Sequence, residues 1–248
     1  MNSLLEHLRN FFKIPDLEEY RTILCIQPHP DDADIGMGAT VAKLSEKGAK
    51  VFYLTVTDGS AGSTNERLIG ETLSKIRKEE QEKAAEILGV HDLIWLDFED
   101  LGDYQLKELR SMIAEHIVVL KPDIVFTVDP FLPYEIHPDH IKCGFAAAQA
   151  SSFYKLPKIS KFRTDHILHA IGFFNTANPN NFYQIERKHL EKKFLALSHH
   201  KSQFDEKTLQ TLYFYLEERA KVGEDKLAES FKILPPVMLH VFPEAQDF

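Results

Sequence analysis

The chain has 248 residues, 44% of them hydrophobic and 27% charged, with a formal net charge of -9. That length and apolar share suit a folded unit with its own core and argue against disorder. The acidic balance, without any Lys/Arg-rich block, argues against a nucleic-acid backbone as partner, and no apolar run reaches the roughly 20 residues of a membrane span.

The segment Met1 to Phe12 places Leu4, Leu5, Leu8, Phe11 and Phe12 on one helical face. Glu6, His7 and Arg9 interrupt it, so it lacks the apolar stretch of a signal peptide. The face is expected to dock on the protein body or on a neighbouring subunit rather than on a membrane. Cys25 and Cys143 offer no disulfide framework, and the protein is read as cytoplasmic.

After a turn at Pro15, Thr22 to Gln27 reads as a first buried strand, and Gly36 to Glu46 as a helix stopped by Gly48. Val51 to Thr57 is a second strand ending in Thr57-Asp58-Gly59, and the polar stretch Ser60 to Gly70 is a loop. A long helix over Glu71 to Leu88 leads to a third strand, Leu93 to Leu96. Gln105 to Leu120 is helical and ended by Pro122, and Ile124 to Val128 is a fourth strand. Asp129 to Ile136 is a loop rich in proline and aromatics, after which His137 opens another helix.

Strands alternating with helices predict an α/β fold with a Rossmann-like, doubly wound and mostly parallel sheet. Beyond Lys155 the pattern loosens. Ile167 to Phe174, Phe182 to Ile185, Phe231 to Ile233 and Val237 to Phe242 read as strands, and Arg187 to Leu197 and Lys207 to Lys221 as helices. The chain is expected to form one domain: an N-terminal helix (1–20), an α/β core (21–155) and a small C-terminal α/β cap (156–248).

The chemistry concentrates in Pro28-His29-Pro30-Asp31-Asp32-Ala33-Asp34, directly after the first strand, and in His137-Pro138-Asp139-His140, after the fourth. Ligands of doubly wound sheets bind beyond the carboxyl ends of the strands, so the two motifs converge on one site. Charged groups beyond a buried strand call for compensation, and a divalent cation supplies it. Zinc catalysis needs three protein ligands and an open position, for which His29, Asp32 and His140 are the candidates. Bound zinc lowers the pKa of water from about 15.7 to roughly 7, and a neighbouring carboxylate, Asp31, can take the proton as general base.

Other readings apply to single residues. Any one of His29, Asp31 and Asp32 could merely cap the following helix, and Asp34 reads as a first-turn helix carboxylate. Gly36-Met37-Gly38 invites a metal-free nucleotide-binding α/β module, but the third glycine is missing at the usual spacing. Asp32-Ala33-Asp34 after a strand suggests an aspartyl-nucleophile phosphatase, which would leave His137 and His140 without roles. By chemistry alone Arg77 is a surface residue paired with Glu80, Cys143 is a small packed thiol, and His199, His200 and His240 are structural.

Taken together, the His-Pro-Asp-Asp motif with its following glycines, Thr57-Asp58-Gly59, Ile76-Arg77 with Glu80, and His-Pro-Asp-His resemble the zinc-dependent N-deacetylases of the PIG-L/LmbE-like family. The resemblance runs from Ile23 to Gly144 and returns at Ser202-Gln203-Phe204 and near His240. Pro28 and the run Leu132 to His137 are most similar to diacetylchitobiose deacetylases, with bacillithiol- and mycothiol-pathway deacetylases next. It implies one Zn2+ per subunit on His29, Asp32 and His140, with Fe2+ or another divalent ion as an alternative in the cell. It also implies Asp31 as base, His137 as oxyanion stabiliser or proton donor, and Arg77 beside the base or substrate. Asp129, Tyr134 and His240 are candidate substrate contacts, His240 reaching a neighbouring subunit's site in a homohexamer. Many members carry Glu where this chain has Asp34, which receives no catalytic role. The implied reaction removes acetyl from an N-acetylglucosamine-containing small molecule. Amide cleavage of a thiol conjugate is the alternative.

Overall fold

A computed structural model describes residues 3–248. The sheet is built from chain runs that hide both faces. Ile23, Leu24, Cys25 and Ile26 of β1 (Thr22–Gln27) and Ile124, Val125 and Phe126 of β4 (Ile124–Val128) are fully buried, as near-continuous apolar strands of a doubly covered parallel sheet should be. With β2 (Lys50–Thr57), β3 (Asp92–Phe98), β5 (Ala170–Phe174), β6 (Asn181–Ile185) and β7 (Leu227–Leu234) they make one seven-stranded sheet in the order β3-β2-β1-β4-β5-β7-β6. The first five are parallel, and β7 runs antiparallel to both β5 and β6.

Helices α2 (Asp32–Glu46) and α3 (Glu71–Leu88) pack together with α6 (Arg187–Leu197), while α4 (Leu106–Leu120) pairs with α5 (Pro138–Phe153). The chain leaves β1 towards β2 and returns to place β4 on the other side of β1. The switch point of the sheet, and the crevice beyond it, therefore lie between β1 and β4.

The architecture matches the expected fold class, with local differences. Helix α2 begins at Asp32, four residues before Gly36, and breaks at Met37 (φ -149°, ψ 18°). Glu229 of β7 accepts the free amides of Ala39 and Thr40 just after this break and pairs with buried Lys193 at 2.6 Å. The two glycines flanking Met37 are packing positions. A side chain at Gly36 would run into the ring of Phe174, and Gly38 lies against Lys193.

The expected strand at Phe231 to Ile233 extends over Leu227–Leu234, and Val237 to Phe242 is no strand at all. Pro235 and Pro236 lack the amide hydrogens a ladder needs, and the chain coils into a short 3-10 helix, Pro236–Leu239. His240 therefore follows a 3-10 turn and does not sit in a strand. β5 starts at Ala170 rather than Ile167. β5, β6 and β7, all beyond residue 155, extend the same sheet.

Of the N-terminal stretch, Met1 and Asn2 lie outside the described residues. In α1 (Ser3–Phe11) Leu5 and Leu8 pack on the core together with Phe12, whereas Leu4 and Phe11 stay exposed. Arg9 ties the helix to the backbone carbonyls of Asp247 and Phe248. Among the described residues no helix is long and apolar enough to cross a membrane.

Candidate active site

The turn from Pro28 to Asp32 is clamped from both sides. Thr57, at the end of β2, donates to Pro28 O through its amide and its hydroxyl, each at 2.9 Å. From α3, Arg77 Nη2 donates to Pro30 O at 2.9 Å and to Asp31 Oδ2 at 3.2 Å, and Nη1 to Gly59 O at 3.2 Å. Asp31 sits at φ 124°, a region costing a non-glycine residue on the order of 1–3 kcal/mol, of the kind that gathers at functional sites.

Arg77 is thus buried and not the surface partner of Glu80, which instead accepts the amide and hydroxyl of Ser202. The buried stripe of α3 explains this. Leu73, Arg77, Glu80, Gln81, Ala84 and Leu88 recur at helical spacing, so Arg77 occupies a core-facing position near the middle of the helix, from which its side chain reaches the site. Space for its guanidinium comes from Gly59 (φ +67°) and Gly62, where an added Cβ would come within 3.0 Å and 2.8 Å of it.

Asp32 lies between two imidazoles. Its Oδ2 is 3.2 Å from His29 Nδ1 and its Oδ1 is 3.3 Å from His140 Nε2. The outward nitrogen of each ring meets another carboxylate. His29 Nε2 is 3.2 Å from Asp100 Oδ1 and 3.5 Å from Asp139 Oδ2, and His140 Nδ1 is 3.2 Å from Glu135 Oε2. Ligating histidines almost always place their second nitrogen this way, which fixes ring and tautomer. His137, at the start of α5, accepts the Asp139 amide on Nδ1, and its ring centre is 4.7 Å from that of His29.

Two sets of donors here could hold a cation: ligand atoms of His29, His137 and His140 lie within 4.8 Å of one another, as do those of His29, Asp100, His137 and Asp139. Asp32 belongs to neither set, and bridges His29 and His140 at 3.2 Å and 3.3 Å. The same crowding sets the charges. Burial would lower the pKa of His29, but Asp100, Asp139 and Asp32 raise it well above the usual imidazole value. Asp32 is held well below the carboxylate range by His140 and His29 against the pull of burial. Burial pushes Asp31 up to about 6 despite Arg77. His137 is lowered by burial and by the two neighbouring histidines, which favours the neutral ring.

A cleft of about 200 Å³ opens over this group, bordered by Asp31, Arg77, Asp100, His137 and, from the segment after α6, Gln203. Cys143 is buried behind it, 3.8 Å from Thr127 Oγ1, as a packed thiol.

Comparison with known proteins identifies the family. The family model "PIG-L: GlcNAc-PI de-N-acetylase" matches residues 24–151. A diacetylchitobiose deacetylase from Thermococcus kodakarensis is 39% identical over 246 residues, covering 94% of this chain and 91% of that protein. The chain belongs to the PIG-L family of deacetylases. A solved N,N'-diacetylchitobiose deacetylase from Pyrococcus horikoshii superposes on it with a TM-score of 0.85 at 32% identity, covering 98% of this chain and 97% of the other. A probable N-acetyl-alpha-D-glucosaminyl L-malate deacetylase 2 from Bacillus anthracis is 28% identical over 88% of this chain and 97% of its own length.

The six family-motif residues His29, Asp31, Asp32, Arg77, His137 and His140 come together in this deacetylase fold. The other three candidates stay apart. Asp129 accepts the Phe131 amide and borders a separate cavity of about 460 Å³ with Thr176 and Lys232. Tyr134 is 98% exposed, and His240 stands beside Phe153 at the far end of α5. Sequence reasoning missed Asp100, and it named Glu135 and Gln203 only within the family-like runs, without a role at the site. The signal available for Asp100 was its place just past a parallel strand, where the other site residues also fall.

Proposed function

We propose that the protein is a zinc-dependent hydrolase that removes the N-acetyl group from an N-acetylglucosamine-containing small molecule of the diacetylchitobiose type, releasing acetate. The observation that carries this reading is Asp32 set between His29 and His140, with Asp31 and His137 facing the same cleft. The named activities of the relatives at 39% and 32% identity support the sugar class.

His29, Asp32 and His140 would hold the ion, and Zn2+ suits two imidazoles and a carboxylate. When bound, zinc acts as a Lewis acid on the amide carbonyl and makes water a nucleophile at neutral pH. Asp31, buried and raised in pKa, accepts the proton of the attacking water, and Arg77 fixes the orientation of its carboxylate. Neutral His137 would donate a hydrogen bond to the developing oxyanion; to protonate the leaving amine it would first have to take up the proton that Asp31 removes from water. Asp100 and Gln203 line the cleft where sugar hydroxyls would lie.

In this reading the whole chain is one catalytic domain, since its C-terminal strands complete the sheet that carries the site. Its buried free cysteines suit the cytoplasm. The exposed Phe131, Tyr134 and Ile136 suit a homo-oligomer, by resemblance a hexamer in which His240 serves a neighbour.

The test is acetate release by zinc-loaded protein from N-acetylglucosamine, diacetylchitobiose and N-acetylglucosaminyl-malate. Turnover of one confirms the reaction and chooses the substrate branch. Zinc-bound protein that releases no acetate from any of them, yet cleaves an amide of a thiol conjugate, overturns the sugar reading.

A further inference from the structure

The strained turn needs support that the helix itself does not provide. The break at Met37 separates the first turn of α2 from the rest of the helix, so that turn is not held by a continuous ladder. Arg77 and Thr57 grip it on the cleft side. Away from the cleft lies a chain of polar side chains whose direction is set by its first member. The Ala33 amide donates to Gln27 Oε1 at 2.9 Å, so the Gln27 amino group must face the acceptors Thr55 Oγ1 (2.9 Å) and Gln81 Oε1 (3.1 Å). The amino group of Gln81 donates in turn to Asp34 Oδ2 at 3.0 Å.

Asp34 also accepts the Tyr53 hydroxyl at 3.1 Å and His200 Nε2 at 2.8 Å. Gln27, Asp34, Gln81 and His200 are completely buried, and none of them borders the cleft. His200 thus reaches across 166 positions of sequence to end the chain. Water cannot replace any link without opening the fold, so each bond is needed for the next to keep its direction.

We propose that Asp34 and His200 are positioning residues for the reaction: they close this polar chain behind the Pro28 to Asp34 turn and hold Asp31 in its strained backbone, with its carboxylate on Arg77. The inference rests on the deacetylase reading for its catalytic consequence and on the hydrogen bonds for its structural one. Removing the His200 donor leaves Asp34 short of a partner. Gln81 and Gln27 then lose their fixed orientation, and the Ala33 amide loses a secured acceptor.

The experiment compares full-length, zinc-loaded wild-type protein with His200→Leu and His200→Gln, the latter keeping an N–H donor near the position of Nε2. Turnover, KM, bound zinc, thermal stability and backbone amide exchange are measured on each. For His200→Leu we expect kcat to fall about 10²-fold, the effect of misplacing a reacting group by an ångström, with zinc still bound. KM should stay within about twofold, because the substrate contacts are untouched. Exchange over residues 28–35 should rise about tenfold while β2 and β4 stay protected. His200→Gln should recover most of the turnover and the protection.

Unchanged kcat and exchange in His200→Leu overturn the proposal. So does exchange raised throughout the molecule with no recovery in His200→Gln, which marks a purely structural residue. If His200→Leu does not fold, Gln81→Met breaks the same chain one link along and is judged by the same criteria. Failure of the sugar reading shows separately, as wild-type protein that releases no acetate, and the exchange comparison still decides the positioning role.

Discussion

Arg77 Nη2 stands 3.2 Å from Asp31 Oδ2, joining the middle of α3 to the residue after Pro30, and both side chains are nine-tenths buried or nearly so. The guanidinium also carries two backbone carbonyls, so it acts at once as counter-charge and as clamp. Replacing Arg77 by Met leaves the Asp31 carboxylate buried without its partner, and removing one member of such a pair costs about 3–5 kcal/mol. We expect Arg77→Met to unfold at lower urea concentration by that amount and to lose about 10²-fold or more in turnover, since the base is no longer aimed. Urea titration and steady-state kinetics on the same preparation check both. Wild-type turnover in the variant would remove Arg77 from the site.

The second prediction concerns the cation. Asp31, Asp32, Asp100 and Asp139 are all buried around two imidazoles, an arrangement whose mutual repulsion a divalent ion relieves. Stripping the metal with a chelator should abolish activity and lower the melting temperature. Zinc restored at a thousandfold excess over its Kd should return about 4 kcal/mol of stability. Calorimetry before and after chelation, with metal content measured in both samples, checks this. An unmoved transition in protein shown to be metal-free would mean that protonated histidines hold the cluster together unaided.

How far the site was legible in the sequence follows from how local its parts are. His29, Asp31 and Asp32 fall within five residues of a strand end, and His137 and His140 span one helical turn, so spacing alone exposes them. By chemistry alone Arg77 reads as a surface residue, because a charged helix suggests a solvated face; only the family resemblance put it beside the base, where the buried stripe of the helix holds it. Asp100 carries no motif. It matters because β3 lies two strands from β1 and ends at the same edge, a relation of topology and not of spacing. The His200–Asp34 contact spans 166 residues and has no local trace. The parallel core was readable from its apolar runs, but the tail was not: Val237 to Phe242 is an apolar run like that of a buried strand, and two prolines override the pattern.

A third prediction tests the carboxylates behind the ligands. Glu135 Oε2 lies 3.2 Å from His140 Nδ1, and its other oxygen accepts the His137 amide at 2.8 Å, so one side chain orients both histidines of the second motif. Glu135→Ala removes no expected ligand. It should nonetheless weaken metal affinity about 10–100-fold, the usual effect of losing an outer partner of a ligating histidine. Competition against a calibrated chelator measures this. Affinity equal to wild type would show that His140 needs no such partner or lies outside the metal's ligand set.

The last prediction separates the loop from the chemistry. Tyr134 has φ +69°, unfavourable for a side chain of its size, and is 98% exposed, so its ring buries almost nothing in return; the turn is closed instead by the Glu135 amide, which donates to Leu132 O at 3.2 Å. Tyr134→Gly should leave metal binding unchanged. It should hold or raise the stability of the isolated chain by up to about 1 kcal/mol, as relief of a left-handed residue does, less the entropy glycine adds to the unfolded chain. If the ring serves substrate, KM rises while kcat stays constant, the mark of lost uniform binding. If it serves a subunit contact, sedimentation shows a smaller assembly at equal concentration. KM and assembly both unchanged would remove Tyr134 from function, and leave Phe131 and Ile136 as the exposed apolar residues of the loop to be tested in the same way.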